Sequence, residues 1–312
     1  MPERDKSDTE PFSDHKVLEL ASALEEDVRY LSEEIGERNM HRSGTMAITA
    51  DWIETRMEEK GYNAQRETYR LSRGVYSGQT ADHIIAELPG TDQPDEILII
   101  GAHYDTVPGS PGANDNGSAV ASLLSLAGYF LDKPQKRTIR FVAFANEEPP
   151  FFKTEDMGSY AYARELSDRG ENVVAMVSMD GLGFYSDEPG SQSYPLPGIG
   201  WIYPDRANFI AFVTRFSDLS LMKRSLKAFR ETSELPAEGV ALPGLVPGTD
   251  WSDHWSFWQR DIPAFLITDT LPYRDPYYHT AQDLPENIDF KKLTLLNFGL
   301  RSVVKELASN LL

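Results

Sequence analysis

Four short apolar runs constrain this chain more than any other feature. They are Ile97–Ala102, Arg140–Ala145, Val173–Met179 and Ile262–Ile267. None shows the in-out alternation of a half-solvated strand. A strand that is apolar on both sides has to be covered on both faces, which is the situation of a central strand in a largely parallel sheet. Helical spacing surrounds them. Residues 17–35 repeat Val17, Leu18, Leu20, Ala21, Leu24, Val28 and Leu31, and 45–60 reads as a second helix stopped by Gly61. Residues 117–132 and 158–168 read as helices, as do segments near 205–216 and 251–259, and a last helix runs from about Asp289 to the end. Residues 63–73 and 79–88 read as neighbouring strands joined across Gly74–Gly78, and a Gly, Pro and Ser-rich loop spans 186–200. Strands alternating with helices predict an α/β fold: a three-layer α/β/α sandwich around a mostly parallel mixed central sheet. Residues 1–14 read as a flexible tail and 15–312 as one domain.

Charge narrows the function classes. The chain has 49 acidic against 30 basic residues, a formal net charge of −19. Such a field repels phosphate backbones and anionic lipid, so neither nucleic acid nor a membrane surface is an expected partner. No cysteine is present. Any metal is therefore held by His, Asp and Glu. No run of eighteen apolar residues, the length that could span a bilayer, is present. The polar N-terminus lacks the apolar core of a signal peptide, so the chain as it stands reads as cytoplasmic; a leader removed upstream would make it secreted or periplasmic.

The chemistry concentrates where the core strands end. His103 and Asp105 follow the first run, Glu147 and Glu148 the second, and Asp180 the third. In an open α/β sheet, ligands gather beyond the carboxyl ends of the strands. A histidine with a carboxylate two positions on suits a metal ligand oriented by a supporting acid. Asp115, in Gly112-Ala113-Asn114-Asp115-Asn116-Gly117, suits a metal ligand, while it or Asn116 suits a cap of the helix that follows; both roles can hold, since a carboxylate at a helix N-terminus stays ionised. Glu147 and Glu148 repel one another if buried. Cations remove that repulsion, with one acid on the metal and the other free as a base. Asp180 precedes Gly181, whose lack of a side chain permits close backbone approach. His279 is followed by Asp283, which either caps the next turn or supports the imidazole. His254 fits a substrate pocket or a structural role. His15 and His41 lie in exposed segments, and His83 lies within a strand.

These stretches resemble the co-catalytic di-zinc aminopeptidases of the aminopeptidase Y and bacterial leucyl aminopeptidase type, relatives of glutamate carboxypeptidase and glutaminyl cyclase. The matching segments are Gly101–Asp105, Gly112–Ala119, Phe144–Glu148, Met157–Ser159, Ser178–Asp180, Ser252–His254, Asp261–Ala264 and His279–Asp283, in the family's order over roughly residues 38–290. The resemblance implies that 15–312 is a single zinc-peptidase catalytic domain. It implies two zinc ions, with manganese or cobalt suited to the same donors. His103 and Asp180 would hold one, Glu148 and His279 the other, and Asp115 would bridge them. Glu147 would be the general base and Asp105 would orient His103. The implied activity is zinc-dependent hydrolysis of N-terminal residues from a peptide substrate. Asn146 stands where the family often has Gly or Asp, Pro149-Pro150-Phe151-Phe152 lengthens the following bend, and the family's pocket disulfide has no counterpart.

Three alternatives sit on the same scaffold. A one-zinc glutaminyl cyclase usually carries an Ala-Thr-Asp-Ser-Ala-like segment, whereas Asn114–Ser118 follows the peptidase form. A binding domain without activity would have lost ligands that are all present here. A carboxypeptidase would need a cationic pocket, for which Arg224, Arg230 and Arg274 are candidates. The aromatic residues Phe151, Phe152, Trp251–Trp258, Tyr273, Tyr277 and Tyr278 supply either an apolar pocket or core packing. Oligomeric state has no sequence signal.

Overall fold

The computed structural model describes residues 14–42 and 44–310. Residues 1–13 of the expected tail lie outside this range, and Asp14 opens the first helix, α1 (Asp14–Arg29). α1 continues into a wider helical turn, Tyr30–Ile35, that ends at Gly36 with φ 75°. α2 (Thr45–Glu59) leads to β1 (Gln65–Arg70) and β2 (Thr80–Leu88), neighbours as the spacing predicts and paired antiparallel.

The centre of the fold is the segment β3 (Gln93–His103), α3 (Ala119–Phe130), β4 (Arg137–Phe144), α4 (Gly158–Arg169) and β5 (Asn172–Met179). After it come β6 (Ile210–Thr214), α5 (Leu219–Arg230), β7 (Ala237–Ala241), α6 (His254–Trp258), β8 (Ala264–Thr268) and α7 (Phe290–Ser309). Among the described residues eight strands form one sheet in the order β1-β2-β4-β3-β5-β8-β6-β7. β4, β3, β5 and β8 are mutually parallel, while β2 joins β4 and β6 joins β8 in antiparallel fashion.

The pleat of β3 explains the apolar run. Leu98 and Ile100 enter a core shared with α1, α2, α3, α5 and α7. Ile97 and Ile99 face the other way, against Tyr162 and Leu166 of α4 and Phe257 of α6. Burying each such side chain contributes roughly 1.5–3 kcal/mol, and it does so on both faces, which gives the three layers.

Two segments depart from the sequence reading. The helix expected near 205–216 is the strand β6, every residue of which is buried. Its Ile, Val and Thr suit a pleated surface, and a run this short is sandwiched between β8 and β7 rather than laid on the sheet. The helix lies further on, at α5. The edge strand β7 has no apolar run to announce it, since Gly239 interrupts it. Near 251–259 the helix is the short α6.

The strand order prepares a crevice. β4 and β5 lie on opposite sides of β3. Right-handed crossovers then require α3 and α4 to lie on opposite faces, as they do. The loops leaving β3, β4 and β5 diverge at this point, where an open α/β sheet binds its ligand.

Candidate metal centre

Each of these three strands delivers a side chain to the crevice. His103 is the last residue of β3, Asp180 directly follows β5, and Glu147 and Glu148 follow β4. His103 Nε2 lies 3.4 Å from Asp115 Oδ1 and 3.4 Å from Asp180 Oδ1. His279 Nε2 lies 3.1 Å from Asp115 Oδ2 and 3.2 Å from Glu148 Oε1. The donor atoms of His103, Asp115 and Asp180 all lie within 4.8 Å of one another, as do those of Asp115, Glu148 and His279. Asp115 thus serves both groups, one oxygen to each. Glu147 belongs to neither. It is buried beside them, and its charge is felt chiefly with those of His103, Glu148 and Asp180.

Backbone amides hold this arrangement through a set of buried carboxylates. Asp105 Oδ1 accepts the Glu147 N–H at 2.9 Å and Oδ2 the Glu148 N–H at 3.0 Å. It also sits 3.6 Å from His103 Nδ1, although the nearer partner of that nitrogen is the Asp105 carbonyl at 3.2 Å. Asp283 accepts the N–H groups of Asn114 (2.7 Å) and Asp115 (3.0 Å). Asn114 Nδ2 donates to Asp269 (2.9 Å) and Asp275 (2.8 Å), while Asn116 donates to the Met179 carbonyl (3.1 Å). Neither Asp115 nor Asn116 caps α3, whose N-cap is Ser118 with no side-chain cap bond; both are occupied by the site. Arg38 is fully buried, and its guanidinium donates to the carbonyls of Leu31, Gly36, Tyr104, Pro111 and Gly112. Gly181 has φ 57°, and a Cβ there would meet Leu271 Cδ2 at 2.1 Å, so the chain after Asp180 closes as tightly as its sequence suggests. His279 itself adopts φ 59°, a left-handed conformation costing about 1–3 kcal/mol outside glycine. Tyr278 stacks on its ring at 3.7 Å.

The electrostatics call for positive charge. Asp115, Glu147, Glu148 and Asp180 are all buried, against two imidazoles. Burial, reinforced by Asp115, pushes the Glu148 carboxyl up to about 8. Burial also drives Glu147 well above the carboxylate range and raises Asp180. Burial works against the cation of His279, but Asp115 and Glu148 outweigh it and raise the imidazole to about 10. His103 is raised well above its ordinary value, against burial, chiefly by Asp180. Asp180 Oδ1 is buried with no hydrogen-bond partner. A divalent cation supplies what protons supply here only in part, and the His/carboxylate donors without sulfur suit zinc and its first-row neighbours.

Every residue singled out from the sequence as catalytic or ligating (His103, Asp105, Asp115, Glu147, Glu148, Asp180 and His279) comes together in this crevice. Asp283 does so by another route: it supports Asp115 rather than His279. His254 is buried outside the site, with Nε2 2.9 Å from the Thr249 carbonyl and its ring edge-on to Trp258. His83 is buried and stacked on Tyr69, and burial lowers it to about 4. The candidate arginines for a carboxypeptidase do not converge. Arg224 pairs with Glu306, Arg230 with Glu238, and Arg274 is buried against Gln192 and the Phe209 carbonyl. Arg38, Asn114 and Asp269 escaped the sequence reading. Only Asn114, inside the ligand motif, carried a local signal.

A cavity opens beside Asp180, between the 192–203 loop, the 247–251 loop and strands β6 to β8. Of the aromatic residues noted in the sequence, Trp251, Tyr273 and Tyr278 line it. Phe257 and Trp258 pack in the core instead. Among the described residues, no helix is long and apolar enough to cross a membrane.

Comparison with known proteins fits this geometry. The family model of Peptidase family M28 matches residues 83–304. The uncharacterized protein YfbL of Escherichia coli (strain K12) is 35% identical over 285 residues, covering 89% of this chain and 85% of that protein. Aminopeptidase YwaD of Bacillus subtilis (strain 168) is 36% identical over 235 residues, covering 73% of this chain but 45% of that longer protein. Among solved structures, BSAP, a zinc aminopeptidase from Bacillus subtilis, matches with a TM-score of 0.74 over 93% of this chain and 95% of that one. At 17% identity that likeness is one of fold.

Proposed function

This chain belongs to peptidase family M28, and on that premise we propose that it removes residues from the N-terminus of peptides at a centre for two zinc ions. That it is a zinc-dependent exopeptidase follows from the family. The two-ion reading is carried by one observation: Asp115 presents Oδ1 to His103 at 3.4 Å and Oδ2 to His279 at 3.1 Å, between two complete donor groups. In this reading His103, Asp180 and Asp115 would hold one ion, and Glu148, His279 and Asp115 the other.

Zinc in such a site acts as a Lewis acid, polarising a carbonyl and making water more acidic. The remaining work falls to the chain. Glu147, outside both donor groups and raised by burial, takes a proton from the attacking water and returns it to the leaving amine. Asp105 fixes the Glu147-Glu148 turn through both amides and faces His103, so base and ligands move together. Removal from the N-terminus is the reading that the relatives support, Aminopeptidase YwaD among them. Among the described residues, Arg224, Arg230 and Arg274 do not converge on a place for a terminal carboxylate.

The test is release of chromophore from aminoacyl-p-nitroanilides after dialysis against chelator and again after zinc is restored. Zinc-dependent hydrolysis that disappears when the α-amine is acetylated is the expected outcome. Equal hydrolysis of the acetylated substrates would remove the aminopeptidase reading. Ring closure of a glutaminyl peptide without hydrolysis would point to the cyclase.

A further inference from the structure

Resting on that reading, we propose that the cavity beside Asp180 receives the side chain of the substrate's first residue and selects lysine and arginine through Glu238. The cavity encloses roughly 840 Å³ including its open mouth. Its floor is a row of side chains running across the sheet. Asp180 donates its N–H to the Ile267 carbonyl at 3.1 Å, which sets it beside Thr268. Thr268 pairs with Ala211, and Ala211 with Glu238. These side chains share one face. Ala211, Val213, Leu266 and Val240 form their own apolar cluster, while the alternate residues Ile210, Phe212, Phe265 and Ile267 belong to the main core on the other side.

The row therefore runs from a candidate zinc ligand to Glu238 across three strand spacings, roughly 14 Å at ~4.8 Å each. Between the two acids stand Thr268 and Ala211, both small, which is why the space is open. Among the described residues that line the cavity, Asp180 and Glu238 are the charged ones.

Length and chemistry point to the same ligand class. A leucine or phenylalanine side chain fills the inner part and stops short of Glu238. The aliphatic stems of lysine and arginine can lie along the apolar floor while their cationic heads reach the acid. Tyr194 and Tyr203 line the outer part, and their hydroxyls donate to the carbonyls of Pro204 and Gly239 rather than to Glu238. Their rings are left to face a cation. Glu238 Oε2 meets Arg230 at 3.3 Å, but that arginine's side chain is 50% exposed. Such surface pairs contribute little, and Arg230 keeps its bond to the Ala237 carbonyl when Glu238 turns to a substrate cation.

The experiment compares kcat/KM for arginyl-, citrullinyl-, lysyl- and leucyl-p-nitroanilide on the zinc-loaded enzyme and on Glu238→Gln. Zinc content and melting temperature serve as checks on folding. Citrulline keeps the shape of arginine without its charge. The wild type is expected to prefer arginine over citrulline by about tenfold or more, the worth of one charge-assisted hydrogen bond. In Glu238→Gln that ratio falls to about one. Ala211→Met, which fills the floor midway, raises KM for arginyl and lysyl substrates more than for alanyl. Citrulline or leucine handled as well as arginine by the wild type overturns the pocket assignment alone, as does an arginine-to-citrulline ratio unchanged in Glu238→Gln. Inactivity towards every aminoacyl substrate overturns this proposal and the exopeptidase reading together.

Discussion

Asp283 holds Asp115 by the backbone: its carboxylate accepts the Asp115 N–H at 3.0 Å and the neighbouring Asn114 N–H at 2.7 Å. The contact joins the loop that carries His279 to the turn that carries the shared acid, so the two donor groups are set by one hydrogen-bonded unit. Asp283→Ala is expected to weaken metal binding about 10–100-fold, the usual effect of losing a group that orients ligands. Competition with a chelating dye measures it, and Asp283→Asn, which keeps one acceptor, should recover part of the loss. Unchanged affinity in Asp283→Ala would separate the support from the site.

Asp115 carries both donor groups, so its removal should empty both. Asp115→Ala is expected to retain far less than one equivalent of zinc by elemental analysis after dialysis. Two retained equivalents would contradict a shared ligand, and one would mean that only a single group depends on it.

Glu147 is assigned chemistry and no metal. Glu147→Gln should therefore keep the zinc content of the wild type while kcat falls about 10²–10⁴-fold, the range for loss of a general base. Turnover like that of the wild type would dismiss Glu147 as the base.

Arg38 is a structural cation, satisfied by five carbonyls and lowered to about 10 by burial. Methionine fills much of the same volume but donates nothing. Arg38→Met should cost about 3 kcal/mol or more, since each buried carbonyl left unpaired costs roughly 1–3 kcal/mol. Urea unfolding of the two proteins, each zinc-loaded, gives the difference; a loss below about 1 kcal/mol would mean that the carbonyls find water instead.

Chelation should expose a pH dependence that zinc hides. Glu148 titrates at about 8 in the metal-free fold against an ordinary 4.5. Across that window the folded state holds more protons than the unfolded one, so stability falls as pH rises. His279, raised from 6.5 to about 10, extends the fall to higher pH. The melting temperature of the chelated protein should thus drop between about pH 5 and 10. Zinc binds the deprotonated ligands, so its stabilisation should grow over the same range. A flat profile in chelator would show that water or protein motion relieves the buried carboxylates.

The chemistry was legible in the sequence because it is local. His103, Glu147, Glu148 and Asp180 each follow an apolar strand within a few residues, and a parallel sheet brings such strand ends to one edge whatever its strand order. The failure at 205–216 has the same origin. A five-residue run that is buried at every position shows neither the strand period nor the helical one, and only the neighbours β8 and β7 decide between them.

By itself, then, the sequence determined the fold class and which residues stand at the strand ends, because both follow from periodicity and covalent adjacency. Tertiary structure alone decided how those residues combine. His279 reaches Glu148 across 131 positions, Asp283 reaches Asp115 across 168, and Glu238 shares a row with Asp180 through β8 and β6. Such pairings depend on strand order and crossover direction. These are settled by burying the whole apolar surface at once, and no local spacing encodes them.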